Sequence, residues 1–425
     1  MGDRVPVIEI INTGTELLLG RVLNTHHQWL CRQLTKLGYE ISRQMTVADT
    51  GPVIQQAVRE SLARADVVLV TGGLGPTSDD LTRDYIARLL GLSLRMEDSV
   101  LAAIEGFYRT LDRPMPPTTR VQAMVPEGAL VLANDTGTAP GLAIDVAPGM
   151  FRADPHPSLL ILLPGPPREL YPMFTAKALP LILQKYPLTA PFHSVTLKTA
   201  CMGESTIEEL LGQSLDGLVA AGLEVGYCAR IGEVEVRLGA GGPKAATLVD
   251  QAVGIVRGLL PPCIFGTGDD RLEEVVIRLL TERGQTLATA ESCTGGLVSH
   301  RLTNVPGASA VLMCGLVTYS NQSKVRLLGV PSETIETHGA VSEATARAMA
   351  EGARQRYGVD YSVAVTGIAG PGGGTVEKPV GTVFIAIGSA KGTTVRHHMN
   401  RWDRETFKQA ASQQALELLR QTLVG

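Results

Sequence analysis

The stretch DVVLVTGG, residues 66–73, decides how the first third of the chain folds. An apolar run, Val67 to Val70, passes through Thr71 into Gly72 and Gly73. Apolar residues without alternation mark a strand buried on both faces, as in a parallel sheet. Glycines at its end open the backbone where such sheets take their ligands. Working outward, VPVIEII (5–11) is a second buried strand and EISRQMTV (40–47) a third. NTHHQWLCRQLTKLG (24–38) has apolar residues at helical spacing and stops at Gly38, and PVIQQAVRESLAR (52–64) is a further helix. Strand, helix, strand, helix, strand predicts a parallel sheet covered on both faces. GLAIDV (141–146) and SLLILLPG (158–165) add later strands, and the Pro-rich 147–157 between them reads as a surface loop.

At 425 residues the chain has room for about three domains of ~150 residues. A charged fraction of 19 % and a net charge of −4 give no sign of a basic groove for nucleic acid or a basic membrane-surface patch. The apolar run at 159–163 is far short of the ~20 residues that span a bilayer. The start, MGDRVPVIEII, has no basic segment followed by a long apolar one. Six scattered cysteines (31, 201, 228, 263, 293 and 314) with no C-x-x-C read as reduced thiols. A cytoplasmic protein is expected, with small-molecule partners and neither membrane nor nucleic acid.

From about 176 the texture changes. HSVTLKTACMG, ESTIEELLGQSL, the hairpin-like LEVGYCARIGEVEVRLGAG and AATLVDQAVGIVRGLL predict a small β-α-β-β-α module. FGTGDDRLEE (265–274) marks the next boundary. Beyond it, QTLATAES, SAVLMCGLVTYS, YSVAVTG, GTVFIAIG and TTVRHHMNRW alternate with helical segments, and Asp403 is a candidate N-cap for a closing helix over 404–422. The fold class is therefore α/β in three domains, 1–175, 176–267 and 268–425.

Two places carry chemistry. In VTGGLGPTSDDLTRD (70–84), Gly72, Gly73, Gly75, Pro76 and Thr77 follow a strand end, and Asp79, Asp80 and Asp84 come next. Glycines let backbone N–H groups approach phosphate. Carboxylates beside phosphate call for a divalent cation, although an acid-rich helix start explains them equally well. Thr13, Gly14 and Glu16 in NTGTELLLG, and Gly137 and Thr138 in NDTGTAPGL, offer further polar turns. In the last third, TAESCTGG (289–296) puts Ser292 and Cys293 between a strand and a helix, and TYSNQSK (318–324) follows the next strand. A serine needs a base to attack, and a desolvated lysine with a lowered pKa serves. Lys324 is the candidate, with Tyr319 as proton relay and the helix start at 293–296 as oxyanion donor. Singly, each has a plainer reading: Glu291 and Ser292 as helix capping, Lys324 as a solvated lysine, Tyr319 as packing.

GTELLLGRVLNTH, TGGLGPTSDDLTRD, GTAPG and LPGPPREL (163–170) together resemble the N-terminal domain of the CinA (competence/damage-inducible) family, itself similar to molybdopterin-binding proteins of the MoaB/MogA type. The resemblance implies metal-dependent hydrolysis of ADP-ribose. On it, Thr13, Glu16, Gly72, Gly73, Gly75, Pro76, Thr77, Gly137 and Thr138 would bind the nucleotide, and Asp79, Asp80 and Asp84 would hold Mg2+ or a similar ion. The middle module resembles a KH-type fold, with Cys201 where the family has glycine. Five Lys/Arg against eight acids over 190–265 argue against RNA, leaving a spacer or assembly role.

AESCTGG, YSNQSK and VTGIAGPGGG (365–374) match the CinA C-terminal domain, similar to nicotinamide-nucleotide amidases of the PncC type. This resemblance implies deamidation of nicotinamide mononucleotide (NMN), with no cofactor. Ser292 would attack, Tyr319 and Lys324 would activate it, and Thr294, Gly295, Gly296, Thr366, Gly367, Ala369, Gly370, Gly372 and Gly373 would shape the pocket. Gln322 and Ser323 stand where the family commonly has Glu and Ala, positions without assigned chemistry. A homodimer is expected by resemblance. Two rivals remain open: Cys293 as the nucleophile, and a non-catalytic molybdopterin- or nucleotide-binding regulator linked to competence or DNA damage.

Overall fold

The computed structural model describes residues 6–153, 156–188, 192–200 and 202–425, so the Cys201 position and part of the 147–157 loop lie outside the described residues. The chain divides into two compact units, Met1–His193 with Gly241–Pro243, and Ser194–Ala240 with Lys244–Gly425.

The first unit is built on a six-stranded sheet. Ile41–Val47, Ile8–Thr13, Val67–Thr71 and Ser158–Leu163 run parallel, and Gly141–Val146 and Leu130–Leu132 complete it antiparallel. Period-two alternation sends Ile11, Val68, Val70, Leu160 and Leu162 to one core, under the helices Gly51–Leu62, Thr82–Leu90 and Asp98–Thr110. Ile8, Ile10, Val67, Leu69, Leu159 and Ile161 point to the other, under Thr25–Thr35 and the helical run Pro167–Lys185. Both faces are covered, which is why the run at 66–71 shows no polar alternation.

That helical run corrects the expected boundary at 175. Phe174, Ala178 and Ile182 are buried in the first core on one unbroken helical stretch, so the unit extends to His193. The helix Asp98–Thr110 is an addition to the elements read from sequence, and the helix start read near the acids of 79–84 falls at Thr82, opening Thr82–Leu90.

The second unit carries two sheets. The smaller has the order Leu223–Arg230, Glu233–Gly241, Phe192–Ala200, Ile264–Thr267. The expected hairpin forms, with Cys228 opposite Glu235. Val234, Val236 and Leu238 share one face, which the helices Glu204–Ala220 and Ala245–Leu259 cover. Ile264–Thr267, expected as a boundary, is a fourth strand pairing with Phe192–Ala200.

The larger sheet has the order Leu312–Val317, Leu287–Glu291, Tyr361–Gly367, Thr382–Ser389, Gly392–Met399. Its first three strands are parallel and the rest antiparallel. Helices Leu272–Glu282 and Arg404–Val424 pack on one face, and Asn321–Leu328, Ser332–His338 and Glu343–Tyr357 on the other. No described helix is long and apolar enough to cross a membrane.

Candidate active site

Three parallel strands end side by side in the larger sheet, and register decides what meets there. Glu291 lies opposite Val317 on one side and Val365 on the other. The residues that follow are therefore neighbours: Ser292, Thr318 and Thr366. Two backbone bonds carry the alignment past the strand ends, Thr318 N to Glu291 O at 2.7 Å and Ser292 N to Val365 O at 2.9 Å.

Lys324 reaches this edge from a helix. Ser320 caps Asn321–Leu328, its Oγ accepting from Ser323 N at 3.1 Å, which puts Lys324 in the first turns. Its side chain is 1 % exposed. The Nζ lies 3.1 Å from Ser292 Oγ, 2.9 Å from Thr318 O and 3.3 Å from Tyr319 O. No carboxylate pairs with it among the described residues. Burial without a counter-charge penalises the ammonium and holds the Lys324 pKa below the ordinary lysine value.

Glu291 explains why the turn presents serine so rigidly. The carboxylate is fully buried. It accepts from the N–H groups of Gly296 (3.0 Å), Val298 (3.0 Å) and Ser299 (2.8 Å), and from Ser299 Oγ. It thus caps the helix Leu297–Thr303, and the plainer reading of Glu291 is the correct one. It also takes one donor that the sequence assigned to an oxyanion, Gly296 N, while Gly295 N goes to Ser292 O, leaving 293 and 294 of that turn for such a role. Glu291→Ala strands three N–H groups in the interior. An expected loss of about 3 kcal/mol of unfolding free energy follows, with Glu291→Gln losing less, measurable by urea denaturation.

Cys293 has apolar surroundings. It is packed in the apolar core with Val365 and Val383. Burial pushes its thiol up to about 12, so it stays protonated at neutral pH. Gly367 packs beside it: a Cβ there would stand 2.7 Å from Thr382 O and 3.1 Å from Sγ, the backbone carbonyl leaving no room.

Tyr319 departs from its expected part. It is 62 % exposed, and its hydroxyl accepts from Arg404 Nη2 at 2.9 Å. Only its carbonyl oxygen meets Lys324. Arg404 also donates from Nη1 to Gly370 O at 2.8 Å, tying Tyr319 to the glycine loop. Ala369 is buried beside the site, and Thr366 Oγ1 is spent on Ala340 O. Gly372 and Gly373 are exposed on the outer part of the loop. Thr294 Oγ1 and Thr318 Oγ1, flanking Ser292, are buried and have no hydrogen-bond partner among the described residues.

In the first unit the same strand-end logic holds. Thr13 Oγ1 donates to Thr71 O and lies 3.3 Å from Thr82 Oγ1. Gly72 and Gly73 take φ of 94° and 66°, and a Cβ on Gly73 would fall 2.1 Å from Thr82 Oγ1. Gly72 N donates to Leu163 O, bringing the 163–170 motif alongside. Gly137 packs on the Glu169 carboxylate, which accepts from Asn134 Nδ2 at 2.7 Å. Thr138 is half-buried next to it, Pro76 is half-buried in the glycine turn, and Glu16 is exposed with its carboxylate against Gly14.

The acid triplet is not assembled as a ligand set. Asp79 and Asp80 both accept from the Thr77 hydroxyl, while Asp84 pairs with Arg83 at 3.2 Å. Among the described residues no three His, Cys, Asp or Glu side chains converge on a metal position. The cause is chain geometry: the helix begins only at Thr82, so Asp84 sits inside it and Asp79 and Asp80 lie on the preceding turn.

Residues 269–423 match the family described as "CinA C-terminal domain", and residues 9–184 match the "Probable molybdopterin binding domain". A CinA-like protein of Akkermansia muciniphila is 43 % identical over 96 % of this chain and 95 % of its own length. The chain belongs to the CinA family. A CinA-like protein of Gemmatimonas aurantiaca is 40 % identical over 97 % of this chain and 95 % of its own. A crystal structure of the competence/damage inducible protein CihA from Agrobacterium tumefaciens covers 36 % of this chain and 94 % of its own, at 46 % identity and a TM-score of 0.34.

Three contributors in this CinA family member escaped the sequence. Arg404 is one charged residue after a helix cap, and nothing local says it reaches Tyr319. Glu169 lies in a quoted motif, but its contact with Gly137 spans 32 positions. The Thr318 hydroxyl is ordinary in sequence and becomes notable only because it is buried beside Ser292 without a partner among the described residues.

Proposed function

We propose that the last module hydrolyses the carboxamide of nicotinamide mononucleotide to nicotinic acid mononucleotide and ammonia. The observation that carries this is the 3.1 Å approach of Lys324 Nζ, buried and without a carboxylate partner among the described residues, to Ser292 Oγ. The neutral amine takes the serine proton as Oγ bonds the carboxamide carbon, and the pair collapses by passing a proton to the departing nitrogen. Water then attacks the acyl-serine with the same amine as base. Incubating the protein with NMN and measuring ammonia tests the reading, and no release above a heat-denatured control refutes it.

The serine assignment excludes its neighbour. Cys293→Ala is expected to keep kcat within about three-fold of wild type while costing about 1 kcal/mol of stability through the small void it leaves. If that variant alone loses ammonia release, the thiol is the nucleophile.

For the first unit the proposal is hydrolysis of ADP-ribose to AMP and ribose 5-phosphate at the glycine turn. Mg2+ binds through one or two carboxylates together with substrate phosphates, so Asp79 and Asp80, side by side on Thr77, fit it and Asp84 is not needed. The Thr77 bond holds the exposed Asp79 carboxyl below its usual pKa, which keeps it anionic. Such an ion would neutralise phosphate charge and activate water. Gly72 and Gly73 let the backbone approach the pyrophosphate, and Asp80 lies over Gly75, where a Cβ would be 2.4 Å from Oδ2. Asp80→Asn is expected to cut Mg2+-dependent AMP release at least about ten-fold and leave ammonia release from NMN unchanged. Equal AMP release by both proteins rejects the assignment.

A further inference from the structure

Within the second unit a cleft of about 750 Å³ opens between the small sheet's hairpin and the far edge of the larger sheet. It is not the serine site. Its walls include Arg230, Glu233, Arg396, His398, Trp402 and Thr406. Its volume falls in the range of small-molecule sites.

Charge accounting says what it would take. Of the carboxylates on its walls, Glu204 accepts from Ala229 N, Glu233 pairs with Lys198 at 3.0 Å, and Glu417 pairs with Arg420 at 2.7 Å. Arg230 is matched by Glu235 at 3.1 Å. Arg396 is exposed on the edge strand and makes no ion pair among the described residues. His398 and Trp402, the latter 48 % exposed, line the same cleft. A guanidinium outside any ion pair and an accessible aromatic face in one cleft suit a planar ring bearing an anionic group, and Glu204 is the wall carboxylate likewise outside an ion pair among the described residues.

The position of Trp402 gives the cleft a consequence. Asp403 caps the closing helix, accepting from the N–H groups of Glu405 and Thr406. Trp402 and Thr406 line the cleft, and Arg404 between them holds the Tyr319 hydroxyl and Gly370 O. Asn400 N donates to Gly381 O, and Gly381 N to Ile368 O, so the same turn is also tied to the glycine loop through backbone. We propose that this cleft binds a mononucleotide-class ligand, its ring on Trp402 and its phosphate on Arg396, and that occupancy is passed through Arg404 to the loop at 368–374. The binding half stands without the amidase reading; the regulatory meaning of the loop rests on it.

The test uses the full chain carrying Trp29→Phe, so that Trp402 is the sole tryptophan, with AMP as probe. Saturable quenching is expected, weakened at least about ten-fold by Arg396→Glu. In hydrogen exchange on the wild-type chain, AMP is expected to slow both 400–406 and 368–374, and not in Arg396→Glu. No saturable quenching, or quenching indifferent to Arg396→Glu, overturns the site. Quenching with unchanged exchange at 368–374 overturns the coupling. Both readouts are free of turnover, so failure of NMN deamidation leaves them interpretable.

Discussion

Replacing Ser292 by alanine is expected to lower ammonia release from NMN by about ten-thousand-fold, with the fold intact. The size follows from the role: without the nucleophile's oxygen, covalent catalysis is gone and only binding and polarisation remain. The fold survives because the substitution costs Lys324 one hydrogen bond and leaves two, to Thr318 O and Tyr319 O. Circular dichroism and the urea midpoint should match wild type. Ser292→Ala retaining more than about a tenth of the activity removes Ser292 from the mechanism. Paired with Cys293→Ala, which should stay active, the result assigns the chemistry to one of two adjacent residues that differ in surroundings. One faces the strand-end edge beside a buried amine; the other is in the apolar core with a thiol pushed up to about 12.

The second large effect belongs to Lys324. Lys324→Met keeps the length and fills the buried space, but removes the base, and kcat is expected to fall about a thousand-fold. Two carbonyls lose a donor, at about 1–2 kcal/mol, partly offset because a buried ammonium no longer has to be desolvated. The pH profile separates base from prop. Burial lowers the Lys324 pKa, so the neutral, proton-accepting form appears at a lower pH than for a free lysine. Activity should therefore rise with pH along a limb set by this group and plateau below the ordinary lysine range. Below that limb the amine is protonated and the rate falls ten-fold per pH unit. The residual activity of Lys324→Met should lack this limb. A wild-type profile flat through the region, or the same limb in the variant, contradicts the general-base role.

How far the sequence reaches differs between the two sites. At 289–296 and 318–324 it names the serine and the lysine as candidates, because strand ends followed by helix starts are local patterns. It cannot distinguish a lysine in solvent from one 1 % exposed, since that depends on how the helix Asn321–Leu328 lies against the sheet. The Tyr319 hydroxyl was misdirected for a similar reason: its partner, Arg404, is 85 positions away. In the first unit the glycines are legible as a turn, but the three acids look equivalent in sequence. Only the start of the helix at Thr82 sends Asp84 away from Asp79 and Asp80.

By itself the sequence determined the period of most elements, the order of the main strands and helices, the net charge and the kinds of side chain at each strand end. These are local or additive properties, readable from spacing and charge. Tertiary structure decided the register that makes Ser292, Thr318 and Thr366 neighbours, the extension of the first unit past 175, and that Ser292 takes the hydrogen bond from the amine while Cys293 packs in the apolar core. The reason is physical: burial, and with it the protonation of Lys324 and Cys293, depends on which distant segments exclude water, and no spacing along the chain encodes that directly.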